Sequence, residues 1–311
     1  MILSNLYCKK VRKSINRILK NLKFLPKPLF YKIRYAAFTG KKLNLQNPVE
    51  ISEKINWLKM YYHPKILTDL TNKFTVREYV KEKVGIEYLN EIYGYYESVD
   101  EIDFDKLPQQ YILKAVHGCR KNLIVTDKNK LDIPNTKKTL NQWLTYNHYK
   151  KVGFEWAYKN IKPAIIVEKY LNEENHSILT DYKFYCFNGK FGFVFVVKEF
   201  EGVQLQAFYD KHFEKLPFNS KNRDCWIEEH HKLKKPLFFD KMIEIAEILA
   251  DRFPYVRVDM YYIDNQIIFG EMTFYPGDGK YEFTPDIYNK IIGDQVILPE
   301  LKKGQKEITN Y

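Results

Sequence analysis

Apolar residues recur along this chain first at helical and then at strand spacing. Ile51, Ile55 and Leu58 fall on one helix face. Asn47, Pro48 and Glu50 before them match an N-cap, a first-turn proline and a capping-box acid, so a helix is predicted over 48–60. KFTVREYVKEKVG, residues 73–85, repeats the helical period and stops at Gly85, a residue suited to a left-handed C-terminal position. Upstream, LPKPLF at 25–30 ends an earlier helix, because Pro26 and Pro28 cannot continue it. Beyond Pro108 the texture changes: YILKAV (111–116), NLIVT (122–126) and AIIVEKYL (164–171) read as strands, with a helix over 136–151 among them. DYKFYCF and KFGFVFVV flank Asn188-Gly189, the strongest short hairpin signal. DKMIEIAEILADRF, residues 239–252, is an amphipathic helix ahead of a second alternating pair, RVDMYYIDNQIIFGEMTFYPGDG at 257–279. The order is helices, then two α+β lobes.

Composition narrows the class. With 45% apolar and 16% aromatic residues the chain is not disordered, and 311 residues suffice for two or three core-bearing lobes. No apolar run approaches the roughly 20 residues that span a bilayer, and MILSNLY is too short and too soon charged for a secretory segment, so a cytoplasmic protein is expected. Cys8, Cys119, Cys186 and Cys225 show no C-x-x-C spacing, which points to neither a disulfide framework nor a zinc site. The net charge of +11 is local. Residues 1–49 hold 12 of the 50 Lys and Arg and no Asp or Glu, leaving 38 basic against 39 acidic residues. There Val11, Ile15, Ile18, Leu19 and Leu22 recur at helical spacing among Lys9, Lys10, Arg12, Lys13, Arg17 and Lys20, a basic amphipathic helix within residues 1–25. It either docks with its basic side solvated or adsorbs peripherally to the anionic inner face of the cell membrane. A body without net positive charge excludes an extended nucleic-acid surface.

The second hairpin carries chemistry. Side chains alternate along a strand, so Arg257 and Asp259 share a side, as do Glu271 and Thr273. Whether the two pairs share a face depends on the turn. An odd loop, Asp264, Asn265 and Gln266, sets Asp259 across from Glu271, whereas a two-residue loop puts them on opposite faces; we expect the odd loop. Two carboxylates at that distance repel unless a cation lies between them, and such oxygens suit Mg²⁺ held jointly with nucleotide phosphates. The competing account is an exposed edge hairpin with Arg257 bridging both acids. In LKAVHG, Lys114 sits within an apolar strand, either to meet a phosphate or as a snorkelling edge residue. In IIVEKYL an apolar strand runs into Glu168, where backbone can bind a base edge while Asp181 reaches a ribose.

In fixed order, GKKLNLQNP, SEKINWLKMYY, NKFTVREYV, LKAVHG, DYKFYCFNGK and RVDMYYIDNQIIFGEMTFYPGDG resemble the ATP-grasp superfamily, most closely its teichuronopeptide-biosynthesis (TupA-like) branch, over about residues 26–295. The resemblance implies an α+β ATP-grasp fold, in which two α+β lobes sandwich ATP after a mainly helical N-terminal region. The divisions would be 1–25, 26–105, 106–171 for the first lobe and 172–311 for the second, metal-bearing lobe. It implies that Lys73 and Lys114 contact phosphates, with His117 and Gly118 lining the same site. Glu168, Lys169, Tyr170 and Leu171 would form the adenine hinge, and Asp181 would meet the ribose or adenine edge. Asp259, Glu271 and Thr273 would hold Mg²⁺, with Arg257 facing the transferring phosphate and Lys183 a further phosphate contact. Two departures stand out: Thr273 offers only a hydroxyl where many relatives have the amide oxygen of Asn, and HGCRKN replaces the branch's usual Ser-Gly after His-Gly. Lys73 matches an Asp-Lys pair of which the Asp is Asn72 here.

The implied activity is an ATP-dependent carboxylate-amine ligase working through an acyl phosphate. Its partners would be a carboxylate-bearing sugar or lipid-linked saccharide of a surface polysaccharide and an amine, either an amino acid or an amino sugar. The alternative is a glycosyltransferase that grips a nucleotide sugar through the same acidic pair.

Overall fold

The computed structural model describes residues 18–19, 21–172, 179–200, 203–221 and 233–311. Most of the expected basic N-terminal helix therefore lies outside the described residues. No helix among the described residues is long and apolar enough to cross a membrane.

Helix α1 spans Lys27–Thr39, with Pro26 as N-cap and Pro28 in its first turn. The prolines expected only to end a helix open another, because a first-turn proline loses no intrahelical hydrogen bond. Helix α2 is Ile51–Tyr61, capped by Glu50 and not Asn47. The reason is local: Asn44 Oδ1 already accepts the amides of Gln46 and Asn47, while the Glu53 carboxylate takes those of Val49 and Glu50. Helices α3 (Ile66–Thr71) and α4 (Val76–Lys83) follow, and Lys73 stays in the loop between them. Gly85 has φ 122°, so it opens the next loop, and Val84 is the C-cap.

Strand β1 (Ile92–Tyr96), which its central Gly94 hides from pattern reading, joins β2 (Tyr111–Ala115), β3 (Asn122–Val125) and β4 (Ile165–Lys169) in an antiparallel sheet of order β1-β4-β2-β3. Between β3 and β4 the predicted single helix is two, α5 (Ile133–Leu144) and α6 (His148–Lys151). The break comes where Asn147 turns its side chain onto the Lys150 amide as a new N-cap. The second sheet comprises β5 (Asp181–Phe187), β6 (Lys190–Phe200), β7 (Val203–Tyr209) and, after the two-residue β8 (Asn219–Ser220) and helix α7 (Phe239–Ala250), β9 (Tyr255–Ile263) and β10 (Gln266–Thr273). Its order is β10-β9-β5-β6-β7, antiparallel throughout. Asn188 and Gly189 turn β5 into β6 at φ 50° and 78°, as their sequence predicts. Strand β11 (Phe283–Thr284) pairs with β8, and α8 (Ile287–Asp294) follows.

The core divides unevenly. Leu113, Val125, Leu140 and Val167 fill one cluster under the first sheet. Phe30, Ile55, Trp57 and Val80 of the N-terminal helices share a larger one with Phe184, Val194, Met242 and Val258 of the second sheet and α7. Each such side chain contributes about 1.5–3 kcal/mol of burial. The N-terminal helices are thereby fixed to the second lobe, which brings basic residues of α1 and α2 to its loops.

Candidate active site

The turn between β9 and β10 is the two-residue Asp264-Asn265, at φ 50° and 61°, and not the three-residue loop expected. Alone it would put Asp259 and Glu271 on opposite faces. A β-bulge at Gly270 supplies the extra residue, so Asp259 pairs directly with Glu271, and Arg257 with Thr273. A Cβ on Gly270 would lie 3.0 Å from the Asp259 carbonyl oxygen. Strand β5 completes the face by setting Lys183 opposite Asp259 and Asp181 opposite Tyr261.

The side chains form one network. Arg257 grips Asp259 with two bonds of 2.6 Å and reaches Glu271 Oε1 at 3.4 Å and Thr273 Oγ1 at 3.2 Å. Thr273 donates to Glu271 Oε1 at 3.1 Å, and Lys183 meets Asp259 Oδ2 at 3.1 Å as well as Asp181. From the α3–α4 loop, Lys73 donates to Glu271 Oε2 at 2.8 Å. Burial by itself would raise the Glu271 carboxyl, but the Lys73 and Arg257 charges outweigh it and hold the group well below the usual carboxylate range. Burial would lower the Lys183 ammonium, and Asp259 and Asp181 raise it instead. Asp181 is pushed up by burial and by Asp259. Three cations thus meet three carboxylates.

Arg257 does bridge the two acids, as the edge-hairpin account requires, and β10 is the edge strand of its sheet. Two features exceed that account. Asp259 is only 3% exposed, and Lys73, Lys183 and Asp181 converge from other elements, which a hairpin-stabilising bridge does not need. The first lobe faces the same space. Lys114 donates to Glu168 at 2.6 Å across β2 and β4. The Tyr261 phenol is pushed well up by burial and then by Asp181, Glu271, Asp259 and Glu168, carboxylates of both sheets. Lys73 ties the lobes together, its amide donating to the Val116 carbonyl at 3.4 Å.

The remaining predicted residues are placed as follows. The Lys169 amide donates to the Glu91 carbonyl and its own carbonyl accepts from Asn90, so the half-buried Tyr170 and Leu171 continue the hinge span beyond the sheet. His117 is 3% exposed, and its Nε2 donates to the Trp143 carbonyl at 2.9 Å. Its ring therefore pins the end of α5, and burial lowers its pKa. Gly118 is buried beside it.

The donor set fits a hard divalent cation. Asp259, Glu271 and Thr273 offer oxygen only, and among the described residues no group of three or more His, Cys, Asp or Glu could hold a metal unaided. Phosphate oxygens would complete such a site. Asp181 Oδ1 is buried without a partner among the described residues, which fits a ligand hydroxyl or amine.

The profile of the TupA-like ATPgrasp family matches residues 53–297. The chain belongs to that family. Its helices and antiparallel sheets are the mixed α+β arrangement expected for an ATP-grasp member. Among solved structures it is similar to N5-carboxyaminoimidazole synthetase of Staphylococcus aureus complexed with ADP (11% identity, 74% of this chain and 53% of that one, TM-score 0.42). It is also similar to D-alanine–D-alanine ligase of Bacillus anthracis (18% identity, 68% and 60%, TM-score 0.41). The chain spans about half the length of the structures it matches, and likenesses of this size carry no argument of their own. No curated protein matches it in sequence.

Sequence reasoning missed a second charged cluster, on the loop that follows β10 in this TupA-like ATP-grasp chain. Asp278 ion-pairs with Arg34 of α1, with Lys59 of α2 at 2.8 Å and with Lys280 at 3.6 Å. The side chains of Arg34, Lys59 and Asp278 are 8%, 0% and 6% exposed and that of Lys280 is 22%. Gly277, Asp278 and Gly279 run at φ 57°, 59° and 68°, a left-handed stretch that aims the Asp278 carboxylate inward. The available signal was a basic residue on the otherwise apolar face of each helix, in YKIRYAAF and INWLKMYY.

Proposed function

We propose that this TupA-like ATP-grasp protein is an ATP- and Mg²⁺-dependent carboxylate-amine ligase that amidates a uronic acid of a surface-polysaccharide precursor with an amino acid or amino sugar. The observation that carries the reading is the bulge-restored pairing of Asp259 with Glu271 on a face that also presents Arg257, Lys183 and Lys73. The family match supports it and removes the ground for a nucleotide-sugar transferase.

Each residue then has a task. Lys73, Lys114 and Lys183 hold phosphate oxygens, and the Glu168 to Leu171 span with Asp181 holds the nucleoside. Asp259 and Glu271, assisted by Thr273, hold the cation. Bound ATP with Mg²⁺ would supply the phosphoryl group that activates a carboxylate as an acyl phosphate, which the amine then displaces. Arg257 is positioned to neutralise charge on the transferring group. Before the ligand arrives, these cations and anions satisfy one another, so binding exchanges internal ion pairs for ligand contacts.

The test is ADP release from the purified full chain with ATP and Mg²⁺, with a uronate and an amine supplied singly and together. Release that requires both supports the ligase. Strong release with a hydroxyl acceptor and no carboxylate makes the protein a kinase.

A further inference from the structure

We infer that Arg34, Lys280 and, behind them, Lys59 form the seat for the anionic group of the acceptor, a carboxylate of the uronic-acid class. The inference rests on the ligase reading for the acceptor's identity but on separate residues for its geometry.

The cluster is short of negative charge. Arg34, Lys59 and Lys280 surround the single carboxylate of Asp278, whereas the nucleotide-facing network pairs three cations with three acids. Glu155, the other acid that acts on Lys59 and Lys280, is engaged by His148 Nε2 at 3.0 Å. The one acidic group paired with Arg34 among the described residues is Asp278, and the planar fork of a guanidinium suits a carboxylate.

Access and position agree with this. Lys59 is fully enclosed, donating to both the Asp278 carboxylate and its carbonyl, so it supplies field and not contact. Lys280 is the most accessible member, and the Phe38 ring lies against both it, at 4.2 Å, and Arg34, at 5.3 Å, which keeps the two cations near one another. The seat is tied to the strand of the reaction face, because the loop bearing Asp278 leaves β10 after Thr273. The Tyr158 phenol, raised by burial, feels both Glu271 of one cluster and Glu155 beside the other.

The experiment is calorimetric titration of the full chain with D-glucuronate and D-galacturonate, with D-glucose as the uncharged control, and separately with ATP and Mg²⁺. The wild type should bind at least one uronate and not glucose. Lys280→Gln should weaken that uronate at least tenfold, Lys280→Arg should restore it, and ATP should bind all three proteins equally. Unchanged uronate affinity in Lys280→Gln, or no uronate binding by the wild type, overturns the inference and leaves the nucleotide site standing. Uronate binding that depends on Lys280 without any ATP binding sustains the seat and sinks the ligase.

Discussion

The two charged clusters of this protein sit a few residues apart on the chain and differ in one respect. On the sheet face, Lys73, Lys183 and Arg257 meet Asp181, Asp259 and Glu271, so positive and negative groups cancel. On the following loop, Arg34, Lys59 and Lys280 share Asp278. A balanced network suits a ligand that brings both signs, since a nucleotide with its cation needs bases for phosphate and acids for metal. An unbalanced one suits a bare anion. Charge balance therefore separates two kinds of ligand where fold alone does not.

The largest expected effect falls on the unbalanced cluster. The Asp278 carboxyl is held down to about 2, because the Lys59 and Arg34 charges outweigh the burial that would raise it. Among the described residues its carboxylate is thus the one acid that ion-pairs with these three cations, two of them buried. Asp278→Ala should lower stability by about 3–5 kcal/mol, the cost of stranding buried charge, as measured by denaturant unfolding. A loss below about 1 kcal/mol would mean that the cations are already neutralised elsewhere, and the contrast between the clusters would fail.

Next comes Asp259→Asn, which keeps the shape of the balanced network and removes one acid. ADP release should fall by about 100- to 1000-fold, the scale of several kcal/mol of lost charge stabilisation, while nucleotide binding without Mg²⁺ changes far less. Wild-type turnover in this variant would return the hairpin to a structural ion bridge.

How far these clusters are legible in the sequence follows from the range of the interactions that make them. The acids of the balanced one lie on a hairpin, where period-two alternation alone puts Asp259 with Arg257 and Glu271 with Thr273. What alternation does not supply is the reason the two pairs face each other. That facing comes from a bulge at Gly270 and not from a longer turn, and a bulge has no signature beyond a glycine in a strand. Lys73 and Lys183 are legible through family resemblance only, because no local pattern says which acid a loop lysine will meet. The unbalanced cluster joins α1 and α2 to a loop more than 200 residues away, for example Lys59 to Asp278. A lone basic residue on an apolar helix face reads the same whether it snorkels to solvent or ends on a buried carboxylate. Strands β1 and β7 escape for a related reason: neighbours in space decide that such short segments become strands.

The smallest effect is also the most diagnostic of the difference in charge. Lys280 is pulled down to about 8, first by burial and then by the like charges of Arg34 and Lys59, with Asp278 and Glu155 opposing. The enclosed Lys59 is shifted the same way. Between about pH 8 and the ordinary lysine value of 10.5 the unfolded chain binds more protons than the folded one, so this group favours folding increasingly as pH rises through that window. Uronate binding should run the opposite way, full below about pH 8 and lost above it, because the anion needs the protonated lysine. At pH 8 an arriving carboxylate should draw in up to about half a proton per site, as calorimetry in buffers of different ionisation enthalpy would show. ATP binding on the balanced face should show no such uptake attributable to Lys280. If uronate binding instead releases protons or is indifferent to pH between 7 and 9, the ammonium is not part of the seat, and the two clusters do not divide the ligands by charge.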